Sequence, residues 1–330
     1  MIIMNYNIFS KYFISINLIM LSLLSMFFTD LMMLWFFMEI INFLFICLLN
    51  LSMNKKKLVF FYFLIQMLPS FLIIFSITLN NIIFMYNFTN LFIMTSIIMK
   101  LSIPPFHYWL PLMSISMPWY SLFLLLSTQK ITPFYFLSLM DLNTKFLYII
   151  LIMCAYIPPL MMMKSNNLKI LMSYSSINQS SWMILLIYMK NMIWFSYFIM
   201  YSLILSMMFM IMYMNKIYKS ITYFFTPNLN MINILYILNI ASMPPFSFFI
   251  MKWYSIFLTI MNSNMYIIMI LMIISSLIML YLYTLMLMKS MFFFSMNSKI
   301  IKFKFNNLML NKIITMFLFN LLMSLFMIIL

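Results

Sequence analysis

Glycine and arginine are absent from this chain of 330 residues, and only three side chains are acidic. Glycine is the residue that lets a backbone approach phosphate in Rossmann and P-loop sites, so we expect no nucleotide site in this chain. One histidine, two cysteines and three scattered acids leave too few ligands for a metal site. Cys47 and Cys154 lie in different apolar segments and are expected to be buried, inert thiols.

Apolar side chains dominate what is present. Hydrophobic residues make up 67% of the chain and charged residues 6%. A soluble domain could not bury this much apolar surface, and apolar runs of about 20 residues recur instead of alternating strands. The composition therefore predicts an all-α, polytopic bundle of transmembrane helices. The 45 methionines indicate a gene in which AUA codes for Met, as it does in animal mitochondria.

The apolar runs predict about eleven spans. Most of the 18 lysines, Lys169 among them, then fall in loops on one side of the membrane. The positive-inside rule makes this the matrix side, with the N-terminus there and the C-terminus in the intermembrane space. Because these lysines lie in short loops, we expect no nucleic-acid partner. The predicted spans are 4–26, 29–49, 58–80, 86–110, 117–139, 146–163, 168–189, 192–214, 231–259, 264–288 and 309–330.

Two of these spans carry a Pro-Pro pair in matching contexts. Ser-Ile-Pro-Pro-Phe lies in the fourth span and Ser-Met-Pro-Pro-Phe in the ninth. Proline interrupts a helix, and each span is the fourth member of a set of five, so the second set has the opposite orientation. The expected breaks are at Pro104, Pro105, Pro244 and Pro245.

This arrangement predicts inverted repeats with discontinuous helices, which mark ion or substrate paths near the membrane midplane. The whole chain, 1–330, is then a single transmembrane domain. Its repeat halves cover about 1–145 and 146–290, and a C-terminal loop and last helix cover 291–330.

Four charged side chains fall inside the predicted spans. Each charge at a helix centre costs about 2.5–3.5 kcal/mol, so all four are expected to face the bundle interior with partners or water. The protonation of a buried lysine responds to nearby charge, and a row of such groups can pass protons along. The four residues are Glu39, Lys100, Lys130 and Lys252.

Each candidate also has a structural interpretation. The lysines could extend to a membrane interface, and Glu39 could form a static ion pair. His107 is either a proton relay or a hydrogen-bonded structural residue. The polar string on the seventh span forms either a hydrated proton path or ordinary contacts between helices. Its candidates are Ser176, Asn178 and Gln179.

Three motifs resemble one family, the antiporter-like subunits of respiratory complex I. They are K-L-S-I-P-P-F-H-Y-W-L-P, Y-S-S-I-N-Q-S-S-W-M and S-M-P-P-F-S-F-F-I-M-K-W. The chain length and the segment M-E-I-I-N fit the shortest family member of animal mitochondria, and we expect an insect source. The resemblance implies a proton-translocating subunit of NADH:ubiquinone oxidoreductase. It makes Glu39 and Lys100 the coupled pair, Lys130 the central relay and Lys252 the exit-side group.

The resemblance also implies a setting, the mitochondrial inner membrane. NADH, FMN, iron–sulfur clusters and ubiquinone would be used by other subunits, with no cofactor in this chain. Partners would be the other membrane-arm subunits and lipids such as cardiolipin. A free-standing cation/proton antiporter is the alternative, but its cation site would favour carboxylates.

The chain departs from the family pattern at several positions. The family has glycine where Ser102 and Ser181 stand and glycine-rich residues where Ala241 and Ser242 stand, and it commonly has histidine at the position of Gln179.

Overall fold

The computed structural model describes residues 2–83, 86–141, 143–165, 167–190, 192–214, 230–244, 246–262 and 265–297, and the regular elements within these ranges are all helical. Seven stretches in this part of the chain are long and apolar enough to cross a membrane. The expected all-α, polytopic class is therefore confirmed. The span predicted at 309–330 and Pro245 lie outside the described residues.

The chain divides into two compact units, Met1–Cys154 and Ala155–Leu330. In the first unit α2 packs against α1, α3, α6 and α7, and α4 packs against α3 and α7. These contacts place the charged residues of α2, α4 and α7 in one neighbourhood. The helices are α1 (Ile2–Leu24, followed by a 3-10 turn at Ser25–Phe27), α2 (Leu31–Ser52), α3 (Lys56–Ile83), α4 (Tyr86–Lys100), α5 (Trp109–Ser116), α6 (Trp119–Leu126), α7 (Thr128–Leu139) and α8 (Thr144–Met163), within which the unit boundary falls.

The segment expected as one span at 117–139 consists of two helices. Ser127 separates α6 from α7 with φ −112° and ψ −81°, outside the helical region. Pro133 has no N–H to donate, and its ring crowds the carbonyl of Gln129 in the first turn of α7. The helix is therefore irregular where Lys130 projects from it.

In the second unit α9 is the central helix. Nearly all of its residues are buried, and it packs against α10, α12 and α13. It is long enough to cross a membrane, but its Ser, Asn and Gln residues lower its hydrophobicity, so it is not among the seven stretches. The helices are α9 (Leu168–Tyr188), α10 (Ile193–Met214), α11 (Asn230–Ile240), α12 (Ser247–Asn262) and α13 (Tyr266–Asn297).

Candidate functional site

The junction between α4 and α5, residues 101–108, begins with a Schellman ending. The N–H of Ile103 donates to the carbonyl of Ile98 at 3.1 Å, and the N–H of Ser102 donates to that of Met99 at 3.2 Å. Ser102 occupies the left-handed region, with φ 57°. This motif normally has glycine at the left-handed position because a Cβ is disfavoured there. The geometry thus fits the glycine that the resemblance implies at the position of Ser102.

The junction between α11 and α12, residues 241–246, repeats this geometry. The N–H of Met243 donates to the carbonyl of Leu238 at 3.1 Å, and the N–H of Ser242 donates to that of Asn239 at 2.9 Å. Ser242 has φ 60°. In both junctions the serine hydroxyl donates to the carbonyl of the preceding residue. The Pro-Pro motifs therefore follow two helices that end in the same way.

Each junction is held by a side chain that reaches across it. In the first, the indole N–H of Trp109 on α5 donates to the carbonyl of Met99 on α4 at 3.2 Å. In the second, the Asn239 side-chain oxygen accepts from the Ser247 hydroxyl at 3.2 Å and from the Phe248 N–H at 3.4 Å. Asn239 thereby satisfies a free donor at the start of α12.

Glu39 and Lys100 form an ion pair in the first unit. The Lys100 ammonium lies 3.0 Å from Oε1 of Glu39, and the exposed fractions of the two side chains are 2% for Lys100 and 20% for Glu39. Lys100 is the last residue of α4, where unpaired carbonyls and the helix dipole favour a positive charge. The structure thus brings together the two residues that the resemblance pairs.

Lys130 is buried in the third position of α7, close to Cys154 on α8. Lys100 and Lys130 line the same small cavity, which also receives polar side chains from α2 and α3. The structure therefore connects Lys130 to the ion pair through this cavity.

Lys252 is buried on α12 and reaches back to the second junction. Its ammonium donates to the Ser242 hydroxyl at 2.8 Å, beside the carboxyl end of α11. In the described part of the chain the only ion pair is that of Glu39 with Lys100, so Lys252 has a hydroxyl partner and no carboxylate. Of the four proline positions, Pro104, Pro105 and Pro244 lie in the junctions as described.

His107 lies in the first junction and is 2% exposed. Its Nδ1 is 3.3 Å from the Pro105 carbonyl, and its ring lies against Tyr108 with centroids 4.2 Å apart. A backbone partner this close is what the structural interpretation requires, while the relay interpretation stays a prediction.

The polar string of α9 makes two kinds of contact. Ser176 donates to the Ser173 carbonyl at 2.7 Å, within the helix. Asn178 and Gln179 bond to neighbouring helices: Ser275 of α13 donates to Asn178 Oδ1 at 3.4 Å, and the Tyr197 hydroxyl of α10 donates to Gln179 Oε1. These bonds fit contacts between helices, and the proton-path interpretation stays a prediction.

Several buried polar residues were not found by sequence reasoning. They include the tyrosines around α9, whose aromatic character hides a polar group in hydropathy patterns. Lys169, which the sequence predicts in a loop, is instead the second residue of α9 and is 8% exposed. Asn42 could have been found, because it is three residues after Glu39 and such residues share a helix face. The overlooked residues are Asn42, Gln66, Lys169, Tyr197, Tyr201, Asn239 and Tyr283.

A second cavity, of about 260 Å³, lies where α2 and α4 begin and α3 and α7 end. Polar side chains in its lining are Asn80, Thr89, Asn90 and Asp141. Within the described ranges, no group of three or more His, Cys, Asp or Glu residues could hold a metal ion.

Comparison with known sequences gives one family and a set of relatives. The family described as NADH:quinone oxidoreductase/Mrp antiporter, transmembrane, matches residues 28–279. NADH-ubiquinone oxidoreductase chain 2 of Anopheles gambiae is 32% identical, covering 83% of this chain and 84% of that one. The protein of the same name from Rhipicephalus sanguineus is also 32% identical, covering 84% and 87%.

Solved structures show the same fold. A chain of respiratory complex I from Thermus thermophilus matches with a TM-score of 0.81 at 16% identity, covering 96% of this chain and 78% of that one. A chain of the Mrp complex from Dietzia matches with a TM-score of 0.68 at 12% identity, covering 79% and 56%.

Proposed function

Because the chain belongs to the NADH:quinone oxidoreductase/Mrp antiporter transmembrane family, we propose that it is a proton-translocating subunit of a mitochondrial NADH:ubiquinone reductase. The names of its relatives from Anopheles gambiae and Rhipicephalus sanguineus support this proposal. So does the fold it shares with a chain of respiratory complex I.

The observation that carries the proposal is the buried ion pair beside a cavity that Lys130 also lines. An unpaired buried charge is costly, so moving a proton onto or off Lys130 alters the balance of charge at Lys100 and Glu39. This coupling is what a proton relay needs. In our proposal Glu39 and Lys100 are the coupled pair, Lys130 the relay and Lys252 a proton-carrying group of the second unit, with His107 as a further relay.

The finer architecture in the proposal has about eleven spans and two inverted five-helix repeats, with halves near 1–145 and 146–290 in a single transmembrane domain. The matching ends of α4 and α11 support it, since their hydrogen bonds and left-handed serines correspond one to one. Each junction would then interrupt a membrane-spanning segment.

The proposed setting is the mitochondrial inner membrane, with the N-terminus in the matrix. Large apolar side chains exposed on α1, α3 and α13 fit contact with lipids such as cardiolipin or with other membrane-arm subunits. The cavity near Asp141 would open toward the intermembrane space in this orientation. NADH, FMN, iron–sulfur clusters and ubiquinone would act in other subunits.

Lys130→Ala tests the proposal directly. The assembled complex carrying this variant is expected to keep its subunits but lose most of its proton pumping and coupled NADH oxidation, because the relay has no titratable group left. Lys145→Ala is the matched control, since Lys145 is exposed in the same unit. Full pumping by an intact Lys130→Ala complex would refute the proposal.

A free-standing cation/proton antiporter is the other candidate. The likeness to a chain of the Mrp complex fits it, but the buried charges of the described segments are mostly cations. It predicts sodium transport by this chain alone in vesicles, whereas our proposal predicts none.

A further inference from the structure

The cavity shared by Lys100 and Lys130 has room for the centre of about one water molecule, with a volume near 10 Å³. Four helices contribute polar side chains to its wall: α2, α3, α4 and α7. Among the polar residues of the wall are Asn42, Gln66, Lys100, Gln129, Lys130 and Thr132.

Asn42 is the residue in this wall that needs an additional partner. It is 7% exposed, and its side-chain nitrogen is buried without a hydrogen-bond partner. An unsatisfied buried donor costs about 1–3 kcal/mol, so native structures place a partner beside it. The cavity is the space in which that partner can lie.

The surroundings restrict what the partner is. The Lys100 ammonium in the wall repels a metal cation, and the volume is too small for any polyatomic anion. A water molecule fits both the space and the chemistry, because its oxygen accepts from Asn42 while the molecule contacts two to four polar groups.

We propose that Asn42 holds a water molecule between Lys100 and Lys130 and is a positioning residue for proton transfer between them. The step balances without another reactant: the Lys100 ammonium gives a proton to the water oxygen as the water gives one of its own to the neutral Lys130 amine. Lys100 becomes neutral, Lys130 becomes charged, and the water is regenerated. Asn42 gains and loses no proton in this step.

The inference rests on the proposed function, and Asn42→Leu tests it. Leucine has nearly the same size but cannot donate a hydrogen bond. In the assembled complex, the rate of proton pumping is expected to fall about tenfold, the effect of losing one hydrogen bond of about 1.4 kcal/mol. Asn42→Ser, which restores a donor and leaves space for water, is expected to recover at least half of the wild-type rate.

Asn50→Leu is the matched control, because Asn50 is an exposed asparagine on the same helix. A second readout is structural: electron microscopy of the wild-type complex should place a water oxygen about 2.7–3.2 Å from the Asn42 nitrogen, and the leucine variant should lack it.

The two hypotheses fail in different ways. If Lys130→Ala abolishes pumping while Asn42→Leu pumps as fast as the control, the role of Asn42 is refuted and the proposed function stands. Absence of the water from the wild-type complex also refutes the role of Asn42. If Lys130→Ala pumps normally, the proposed function fails and the inference fails with it.

Discussion

Lys100 and the ammonium group of Lys252 both lie at the carboxyl end of a helix, α4 and α11 respectively, yet in the described part of the chain only Lys100 has a carboxylate beside it. Lys100 belongs to the helix that ends there. Lys252 comes from the next helix and reaches back to the left-handed serine. The two junctions share their backbone geometry and differ in how they stabilise the charge.

The comparison shows which property the two junctions share. A Schellman ending presents the negative end of a helix dipole to a nearby cation in both cases. In the first unit Glu39 adds a full opposite charge beside Lys100. In the second unit the Lys252 ammonium has a hydroxyl partner instead, and a hydroxyl can pair with a lysine in either protonation state.

The largest predicted difference in stability between the two junctions comes from the Glu39–Lys100 ion pair. Glu39→Gln leaves the Lys100 charge buried without a counter-ion and is expected to destabilise the first unit by about 3–5 kcal/mol. Lys252→Met removes a charge that has no carboxylate partner in the described residues, so we expect a much smaller loss. Thermal midpoints and yields of assembled complex measure both, and equal losses would contradict the comparison.

The two left-handed serines should differ in how much stability is lost when the hydroxyl is removed. Ser242→Ala removes the hydrogen-bond partner of the Lys252 ammonium and is expected to cost about 1.5–3 kcal/mol, as for bonds to charged groups. Ser102→Ala removes only a bond to the neighbouring carbonyl, so its expected cost is below about 1 kcal/mol. The thermal midpoint of the complex measures the cost of each variant. A larger shift for Ser102→Ala than for Ser242→Ala would contradict the role of Ser242 as the partner of Lys252.

A smaller effect is expected for the side chains that cross the junctions. Asn239→Leu removes two bonds at the start of α12 and should cost about 1–2 kcal/mol. Trp109→Phe removes one bond to Met99 and should cost about 1 kcal/mol. Hydrogen exchange of α12 and α5 would report each loss locally, and unchanged exchange in both would show that these bonds do not hold the junctions.

The smallest effect should change sign between the junctions. Ser102→Gly relieves a left-handed backbone and is expected to stabilise by about 0.5–1 kcal/mol. Ser242→Gly brings the same relief but loses the bond to Lys252, so the net effect should be destabilising. Opposite shifts in thermal midpoint support the comparison, and two shifts of the same sign contradict it.

The sequence was sufficient for the fold class and for the position of both junctions. The Pro-Pro pairs mark them because proline cannot continue a helix, and the buried lysines follow from the cost of charge in an apolar span. The left-handed serines were not predicted from backbone physics. Only the resemblance, which implies glycine at Ser102, marks that position, and the φ of 57° there fits this expectation.

Other parts of the site depend on tertiary contacts that no local pattern encodes. The division of one expected span at Ser127 is an exception, because the polar run of residues 127–130 and the following Pro133 mark it in the sequence. Gln66 and Asn42 meet the lysines only because α2, α3 and α7 pack together. Lys169 reads as a loop residue from its position near polar neighbours, yet α9 buries it.

One measurement tests the central claim that the Glu39–Lys100 pair works in proton transfer and is more than a structural bond. The double variant Glu39→Gln, Lys100→Met removes both charges together, so neither is left buried alone. Our account predicts an assembled complex of near wild-type stability that translocates markedly fewer protons per NADH oxidised. A complex of this double variant with the wild-type proton ratio would contradict it.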